Sequence, residues 1–438
     1  MIKVADRVSV AFAGEGAGAG ELSWGQRDIW LAMVRQESWL PNGAWGPLPA
    51  GTTLDDVADR LRYMMSRFPT ARTRLLLRPD LPPLQVVAGD GEIALDIIDA
   101  AGDADPAELA EAVRLQYQDT EYDFVDEWPL RMAVIRQGDV LTHLVVVMCH
   151  LVTDGFGAGV LLEELETRPS TPLPELQSLE QARWQSGPSG ERQNGKALRH
   201  WESVLRAMPL RRYREAPDRP QPRHWRGEFT STALGPALHT IGERTGGAPA
   251  PVLLAVFAVA LARVTGVNPA VIRPMVNNRF RPGLDRVVCM LAQYGLCQLD
   301  VAGISFAEAV ERAGRTALTT YKHAYYDPIQ LDTLIAGVVA DRGPELELPC
   351  YFNDRRTFAT ALRPQPDAAG TFRWTTRQDT PFEPLIVHVD DTPDGIHAVI
   401  FLDTHVVSPA DGEALLRGLE TVALQAAADP TAPTGVSG

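Results

Sequence analysis

The sequence contains few cysteines and no excess of basic residues, and each shortage excludes a class of protein. Its 438 residues include four cysteines, and no two of these have CxxC spacing. A zinc site or a disulfide framework is therefore not expected, and a reducing cytoplasm is the predicted compartment. With 41 basic against 56 acidic residues, the formal net charge is −15. This balance argues against nucleic-acid binding and against attraction to anionic membranes.

Long hydrophobic runs are also missing. The N-terminal stretch MIKVADRVSV carries charged residues where a signal peptide has an apolar centre. The longest apolar run, residues 251–262, is too short to span a bilayer and ends at Arg263. We interpret it as a buried, alanine-rich helix. The sequence thus predicts a soluble, cytoplasmic protein that binds neither nucleic acid nor membranes.

Helix and strand patterns alternate in both halves of the chain. Helices are predicted after Ser23 as the N-cap, over residues 53–67, which are amphipathic with Thr52 or Thr53 as the cap, and over residues 106–119. Paired strands are predicted over residues 129–136 and 140–148, joined by a Gly-Asp turn. The second half repeats this mixture from residue 228 onward. A hydrophobic content of 45% is enough to form substantial cores.

These patterns predict an α+β protein of two lobes. We assign residues 1–175 to the N-terminal lobe and residues 176–438 to the C-terminal lobe, which includes a Pro- and Arg-rich connection at residues 206–227. The Gly/Ala-rich residues 13–20 are predicted to be flexible and the C-terminal tail loose, and the Pro/Ser-rich residues 167–190 are predicted to form a crossover between the lobes.

Residues 141–165 carry the clearest chemical signal. They read as a buried strand, a tight loop with His150, Asp154 and Gly155, and a helix. Histidine is the side chain that most easily takes and returns a proton near neutral pH. The pattern therefore indicates acyl-transfer or condensation chemistry. A structural histidine that caps the end of a strand is the alternative interpretation.

Residues 149–155 (CHLVTDG) resemble the HHxxxDG signature of the condensation domains of nonribosomal peptide synthetases, with Cys149 in place of the first histidine. Other motifs of that family follow in the same order, and the resemblance covers about residues 8–430. These motifs are Ser23 to Trp30 (SxAQxRxW), Tyr122 to Phe124, Pro129 to Arg131 (PLxR), Trp184-Gln185 with Trp201, Asn278-Arg279, His323 to Leu334, Phe352-Asn353 and Asp429-Pro430.

The resemblance implies the fold of chloramphenicol acetyltransferase, with two αβ lobes in a V and a tunnel between them. It implies a condensation enzyme of nonribosomal-peptide-type antibiotic biosynthesis. Because the sequence has no adenylation motif and no carrier-protein serine motif, we expect a free-standing enzyme, with an excised domain as the alternative. Such an enzyme forms an amide, or alternatively an ester, between an acyl or aminoacyl thioester on a carrier protein and an acceptor. The phosphopantetheine arm of an acyl or peptidyl carrier protein would tether the substrate. No permanently bound cofactor and no metal are expected.

The resemblance also assigns roles to residues at the signature. His150 would orient or deprotonate the acceptor amine. Asp154 would pair with Arg279 and hold the loop, and Gly155 would let the pantetheine arm or an oxyanion approach the backbone. Cys149 is interpreted as a small buried support residue rather than a nucleophile, because neighbours on a strand point to opposite faces.

Further residues are candidates for the lining of the tunnel, namely Trp24, Gln26, Gly157, Gln293 and Asn353. Two positions depart from the family pattern, since Cys289 and Gln293 stand where glycine and asparagine are common. These departures imply a reshaped acceptor side or a weakened activity.

Two other functions remain open at this point. One is a coenzyme-A-dependent acyltransferase of the same superfamily that modifies a small molecule. The other is a catalytically silent recruitment domain, against which the retained His150 and Asp154 argue. The arginines of residues 206–227 have two interpretations, a solvated linker or a docking surface for an acidic carrier protein.

Overall fold

A computed structural model describes residues 2–437, with the exception of residues 103, 214–215, 217, 345, 348–349, 357–368 and 382. The chain forms two compact units. Unit 1 comprises Met1–Glu191 and Asn277–Ala292, and unit 2 comprises Arg192–Val276 and Gln293–Gly438. The predicted boundary at residues 175/176 therefore falls inside unit 1. The segment 277–292, which the sequence analysis places in the C-terminal lobe, also belongs to unit 1.

Unit 1 contains a five-stranded and a three-stranded sheet. The larger sheet has the strand order β1-β6-β7-β8-β3, in which only β6 and β7 run parallel, and the smaller has the order β2-β5-β4. The strands are β1 (Asp6–Ala13), β2 (Gly18–Glu21), β3 (Pro41–Pro47), β4 (Thr73–Arg78), β5 (Leu81–Val87), β6 (Asp90–Asp99), β7 (Leu130–Gln137) and β8 (Val140–Cys149).

Five helices of unit 1 accompany these sheets. They are α1 (Trp24–Gln36), α2 (Leu54–Arg67), α3 (Pro106–Asp119), α4 (Gly155–Thr167) and α5 (Ser178–Gln185). The predicted starts of the first three are confirmed, because Ser23, Thr53 and Asp105 each accept a hydrogen bond from a backbone N–H of the first turn.

The central strand β7 separates two apolar cores of unit 1. Met132 and Val134 belong to the core that includes residues of α2 and α4, whereas Ala133 and Ile135 belong to the core that includes residues of α3. Successive side chains of a strand point to opposite faces, so the run MAVI can be buried throughout only between two layers. Strand β8, which leads to His150, is thus held by cores on both sides.

Unit 2 is built on one larger sheet with the order β11-β10-β13-β15-β16-β9-β14, with β12 paired to β10. Its strands are β9 (His224–Ser231), β10 (Ala270–Val276), β11 (Gln293–Tyr294), β12 (Cys297–Leu299), β13 (Tyr351–Asp354), β14 (Thr371–Gln378), β15 (Leu385–Thr392) and β16 (Gly395–Asp403). The sequence pattern of residues 348–353 predicts a strand, and the first two of these residues lie outside the described part of the chain.

The helices of unit 2 cover both faces of this sheet. They are α6 (Pro188–Ala207), α7 (Leu234–Thr245), α8 (Pro249–Thr265), α9 (Phe306–Lys322), α10 (Pro328–Arg342) and α11 (Pro409–Ala428). The interpretation of the apolar run as a buried helix is confirmed, because every residue from Val252 to Ala262 is at most 5% exposed. No helix among the described residues has by itself the length and apolar composition needed to span a membrane. Helices α7 and α8 meet both requirements only when they are counted together, and this pair is bent by 110°.

The segments predicted to be flexible, loose or a crossover between the lobes are more ordered than expected. The Gly/Ala-rich stretch contains β2, which pairs with β5, and residues 167–190 contain α5. The C-terminal tail is fixed rather than loose, because Thr434 is fully buried and its backbone oxygen accepts hydrogen bonds from Arg263. Backbone pairing of this kind depends on distant partners and leaves no local pattern in a glycine-rich sequence.

Three arginines of the connection at residues 206–227 contact other parts of unit 2. Arg212 is buried and donates to the backbone oxygens of Val271 and Glu347 at 2.7 and 2.6 Å. Arg206 pairs with Asp341 at 3.0 Å, and Arg223 pairs with Asp403 at 2.6 Å. Arg214 lies outside the described residues. The paired arginines therefore hold the connection against the rest of unit 2.

Candidate active site

The predicted strand, loop and helix around the signature are confirmed. Strand β8 ends at Cys149, a five-residue loop follows, and α4 begins at Gly155. Asp154 is the N-cap of α4, and its Oδ1 accepts a hydrogen bond from the N–H of Gly157 at 2.9 Å. The helix therefore starts where it does because the carboxylate satisfies a backbone donor of its first turn.

His150 is half-buried at the beginning of this loop. Its Nδ1 lies 3.1 Å from the backbone oxygen of Thr153. A carbonyl can only accept, so this contact requires the tautomer in which Nδ1 carries the proton and Nε2 the lone pair. Among the described residues, Nε2 has no hydrogen-bond partner. The ring is thus oriented by the loop, with one nitrogen left to accept a proton.

The electrostatic surroundings keep this imidazole neutral. The pKa of His150 is lowered from its ordinary value of 6.5, chiefly because burial disfavours the charged form, while the nearby Asp154 opposes the shift. A lowered pKa means that the neutral form, which is the form that can act as a base, predominates at pH 7.

Asp154 is enclosed by donors. Its Oδ2 lies 2.8 Å from Nη1 of Arg279, and the two side chains are 5% and 3% exposed. The same oxygen accepts hydrogen bonds from the backbone N–H groups of Leu291 and Ala292, both at 3.0 Å. With Oδ1 bound to Gly157, every described contact of the carboxylate is structural, and Asp154 is a positioning residue.

Arg279 extends this network to the segment that follows it. Its Nη2 donates to the backbone oxygens of Val287 and Cys289 at 3.0 and 3.1 Å. These bonds and the pair with Asp154 are the physical reason why residues 277–292 belong to unit 1. A buried guanidinium with several acceptors avoids the cost of an isolated charge.

The two glycines of the signature helix have different surroundings. A Cβ on Gly155 would meet nothing within 4 Å, so the backbone at the start of α4 is open to an approaching group. A Cβ on Gly157 would lie 2.7 Å from Nη2 of Arg279 and would also overlap Oγ1 of Thr153. Gly157 is thus required by close packing inside unit 1, and its place in the lining of a tunnel stays a prediction.

Cys149 is placed as a buried support residue. It is 1% exposed, and its Sγ lies 3.7 Å from the backbone oxygen of Trp39. Burial raises the pKa of its thiol to about 12. A reactive cysteine requires a thiolate, so this environment opposes a nucleophilic role.

A sequence model of the condensation domain family matches residues 48–337, which include the signature loop, Arg279 and the segment that Arg279 holds. The chain belongs to the condensation domain family. Condensation domains work with carrier protein domains in nonribosomal peptide and polyketide systems.

Curated relatives of the chain are large synthetases. The chain is 29% identical over 318 residues to phosphinothricin tripeptide synthetase PhsC of Streptomyces viridochromogenes, a match that covers 68% of this chain and 29% of that protein. It is 27% identical over 306 residues to chondramide synthase cmdD of Chondromyces crocatus, covering 64% of this chain and 8% of that protein. The chain therefore spans less than a third of the length of either relative.

Solved structures share the fold at low sequence identity. The condensation domain that mediates chain release from the enacyloxin polyketide synthase matches with a TM-score of 0.72 and 17% identity, over 95% of this chain and 84% of that one. The X-domain from teicoplanin biosynthesis matches with a TM-score of 0.70 and 17% identity, and the match covers 98% of this chain and 99% of that one. The fold class predicted from the sequence is thus confirmed as the α+β fold of condensation domains.

The other tunnel candidates lie within the packing of their own units. Trp24 is 4% exposed, and its backbone N–H donates to Oε1 of Gln185 at 2.8 Å. Gln26 is 1% exposed, and its Oε1 accepts the N–H of Ser23 in the capping box of α1. That the two side chains line a passage stays a prediction. The side chains of Ser23 and Gln26 form a capping box that stabilises the start of α1.

Gln293 and Asn353 lie in unit 2. Gln293 is fully buried. Its side-chain Nε2 donates to the backbone oxygen of Tyr326 at 3.1 Å, and its Oε1 accepts a hydrogen bond from the backbone N–H of Tyr326 at 3.3 Å. Both ends of the amide are used, so Gln293 joins two segments of unit 2, and its place in the lining of a tunnel stays a prediction. Asn353 is half-buried on β13 opposite His388.

Sequence reasoning missed three contributors to the site. The backbone oxygen of Thr153 orients His150, and the N–H groups of Leu291 and Ala292 bind Asp154. Backbone groups carry no signature in a sequence, and only the position of Thr153 inside the HxxxDG motif could have indicated a role. Among the described residues, no group of three or more His, Cys, Asp or Glu side chains could hold a metal ion.

Proposed function

We propose that this condensation domain forms an amide bond between an acyl or aminoacyl thioester tethered to a carrier protein and an amine acceptor, with His150 acting on the amine. The observation that carries this proposal is the orientation of the imidazole, whose Nδ1 is bound to the Thr153 oxygen while Nε2 is free of described partners. A neutral imidazole held in one tautomer is what a proton acceptor requires.

In the proposed reaction the amine nitrogen attacks the thioester carbonyl carbon. A C–N bond forms, the C–S bond breaks, and the pantetheine thiolate leaves. Nε2 of His150 binds the amine N–H, accepts its proton and returns it to the leaving sulfur. Holding two tethered reactants together supplies much of the rate enhancement, because it replaces a bimolecular encounter.

Two neighbouring features support this role. Asp154 and Arg279 fix the loop that carries the imidazole, and Gly155 leaves the backbone at the start of α4 open. Free N–H groups of a first helical turn favour negative charge, so this position suits the oxyanion that develops on the attacked carbonyl. We assign the backbone of Gly155 to binding this oxyanion, because its surroundings leave room for the substrate.

The proposal is tested by mixing the protein with an acyl-loaded and an aminoacyl-loaded carrier protein and following the amide product by mass spectrometry. His150→Ala is expected to lower the rate by about 10²–10⁴-fold, the usual contribution of a positioned acid or base. His239→Ala, which changes an exposed histidine of α7, serves as the matched control. A His150→Ala protein that forms product at the unaltered rate would remove His150 from the mechanism.

The same experiment separates the alternatives. Turnover of a free acyl-coenzyme A with a small amine, and none with loaded carriers, would identify a coenzyme-A-dependent acyltransferase. Carrier binding without any product would identify a recruitment domain. The fold likeness to the X-domain, whose complex with OxyB matches with a TM-score of 0.70, makes this second candidate worth the measurement.

A further inference from the structure

Two polar side chains stand side by side on the face of the unit 2 sheet that lies opposite its apolar core. Alternate residues of three neighbouring strands, such as Phe352, Val387 and Ile400, belong to that core. The residues between them therefore point to the opposite face. On that face the parallel register pairs Asn353 of β13 with His388 of β15. Neighbouring strands are about 4.8 Å apart, so an amide and an imidazole lie next to each other.

The hydrogen-bonding groups of this pair are not engaged within the described part of the chain. Both residues are half-buried, and neither side chain forms a hydrogen bond with another described residue. Nδ1 of His388 is shielded from solvent and still has no hydrogen-bond partner there. Polar groups in such a position usually have a partner, which can be a water or a bound molecule. The packing of unit 2 alone therefore does not account for the pair.

The ring of His388 is neutral at pH 7. Burial and the positive charges of Arg355 and Arg226 lower its pKa to about 3. A neutral imidazole carries one proton, and a buried N–H without an acceptor is rare in proteins. We therefore place the proton on Nε2, which is not shielded as Nδ1 is. His388 then offers an N–H donor on the same face as the NH₂ group of Asn353.

The charges that act most strongly on His388 are positive. They are the guanidinium groups of Arg355 and Arg226, both of which disfavour the imidazolium form. Asp390 pairs with Arg355 and Glu228 with Arg226, each at 2.6 Å, without reversing this effect. A negative group that reaches Nε2 of the ring is therefore attracted rather than repelled.

Apolar side chains flank the pair on the same face. The ring of Phe401 packs edge-on against His388 with centroids 5.8 Å apart, and it is half-buried. Ile386 precedes His388 by two residues on β15, so it shares this face, and it is also half-buried. Binding sites for small molecules usually combine an apolar lining with a few polar groups that fix the orientation of the ligand.

We propose that this part of the sheet face, defined by Asn353, Ile386, His388 and Phe401, binds a small carboxylic acid in its ionised form. One carboxylate oxygen accepts the Nε2–H of His388, and the other accepts an N–H of the Asn353 amide. Two donors on adjacent strands suit the two oxygens of one carboxylate. The site lies entirely in unit 2 and does not depend on the proposed amide-forming reaction.

Isothermal titration calorimetry of the full chain with three probes of similar shape tests the proposal. The probes are 3-phenylpropionate, 3-phenylpropanamide and 3-phenylpropylamine at pH 7. The carboxylate is expected to bind about tenfold more tightly than the neutral amide, because hydrogen bonds to a charged acceptor are the stronger ones. The amine should show no binding. Equal binding of the carboxylate and the amide, or no binding of the carboxylate at millimolar concentration, would overturn the proposal.

Substitutions of His388 separate the hydrogen bond from the shape of the side chain. His388→Gln keeps an N–H donor near the position of Nε2, and its affinity for 3-phenylpropionate should stay within about threefold. His388→Leu has no donor and should weaken binding at least about tenfold. His239→Leu, at an exposed position of α7, is the matched control and should change nothing. If the Gln and Leu variants lose affinity equally, the proposed hydrogen bond does not exist.

The change Asn353→Asp replaces the second donor by a negative charge. It is expected to abolish the binding of 3-phenylpropionate, because two carboxylates would face each other. The control Gln425→Glu adds the same charge at an exposed position of α11 and should leave the affinity unaltered. An equal loss in both variants would show that net charge alone decides, and the site would be refuted.

Nuclear magnetic resonance of the unsubstituted protein, labelled with ¹³C at histidine Cε1, locates the ligand without relying on the folding of any binding variant. The signal of His388, assigned by its absence from the spectrum of His388→Gln, should shift as 3-phenylpropionate is added. Its titration should give the dissociation constant found by calorimetry. If the signal of His150 shifts and that of His388 does not, the carboxylate binds at the signature loop and the proposal fails.

Discussion

The carboxylate of Asp154 and the guanidinium of Arg279 form a buried ion pair that joins two segments separated by more than 120 residues in the sequence. Their closest atoms are 2.8 Å apart, and both side chains are at most 5% exposed. Asp154 also caps α4 and binds two backbone N–H groups of the segment held by Arg279. The ion pair therefore positions the loop of His150 and closes the fold of unit 1.

Removing either partner of this ion pair is expected to destabilise the protein. Arg279→Met leaves the Asp154 carboxylate buried without its cation, and the free energy of unfolding should fall by about 3–5 kcal/mol. Urea denaturation measures the change. The control is Glu163→Gln, which breaks the Arg286–Glu163 pair, whose side chains are 44% and 56% exposed. That variant should lose no more than about 1 kcal/mol, and equal losses would mean that the buried pair has no special structural role.

The pH dependence of the proposed reaction follows from the surroundings of His150. Its pKa lies below 6.5 because burial disfavours the imidazolium. The active form is neutral, so activity is expected to be retained at pH 6.5 and to fall only as the pH drops through the lowered pKa. A rate profile between pH 5 and 8, with loaded carriers in excess, measures the midpoint of the acid limb. A midpoint above 6.5 would contradict the assignment, provided that circular dichroism shows the protein folded throughout.

Gly157 and Gly159 provide a matched pair of substitutions on α4. A Cβ at position 157 would crowd Arg279 and Thr153, whereas one at position 159 would meet nothing within 4 Å. Gly157→Ala is therefore expected to destabilise the protein by about 1–3 kcal/mol through overpacking. Gly159→Ala should stabilise it by about 0.5–1 kcal/mol, because alanine favours the helix. Thermal denaturation compares the two, and the prediction fails if both changes shift the midpoint in the same direction.

The elements that the sequence predicted well have local causes. Ser23, Thr53 and Asp105 begin their helices because a side-chain oxygen next to the first turn satisfies a backbone donor. The hairpin of β7 and β8 has Gly138 in the left-handed region, with φ of 61°, at the turn predicted from the Gly-Asp pair. Such features depend on residues a few positions apart, which a single sequence displays.

The features that the sequence did not display have non-local causes. Residues 277–292 belong to unit 1 because Arg279 and the N–H groups of Leu291 and Ala292 bind Asp154. Gln293 is predicted to line a substrate tunnel, although its amide group binds the backbone of Tyr326. The motif resemblance identified which residues matter around His150. It did not distinguish side chains that contact a substrate from those that hold other segments in position.

The C-terminal tail offers a test of how far unit 2 depends on its last residues. Oγ1 of Thr434 donates to the backbone oxygen of Val301 at 2.6 Å, and its N–H donates to the oxygen of Ile304 at 2.9 Å. Thr434→Val keeps the shape of the side chain but leaves the buried Val301 oxygen without this donor. The expected loss is about 1–3 kcal/mol, measured by urea denaturation.

Thr431→Val is the control for the tail, because Thr431 is exposed and its hydroxyl donates to the side chain of Asp429 within the same turn. A surface change of this kind should alter the free energy of unfolding by no more than about 0.5 kcal/mol. Hydrogen exchange adds a positional readout, since the N–H of Phe306 donates to the oxygen of Ala432 and that of Ala307 to the oxygen of Pro430. If Thr434→Val leaves both the stability and the protection of these amides at the start of α9 unchanged, the tail does not stabilise unit 2.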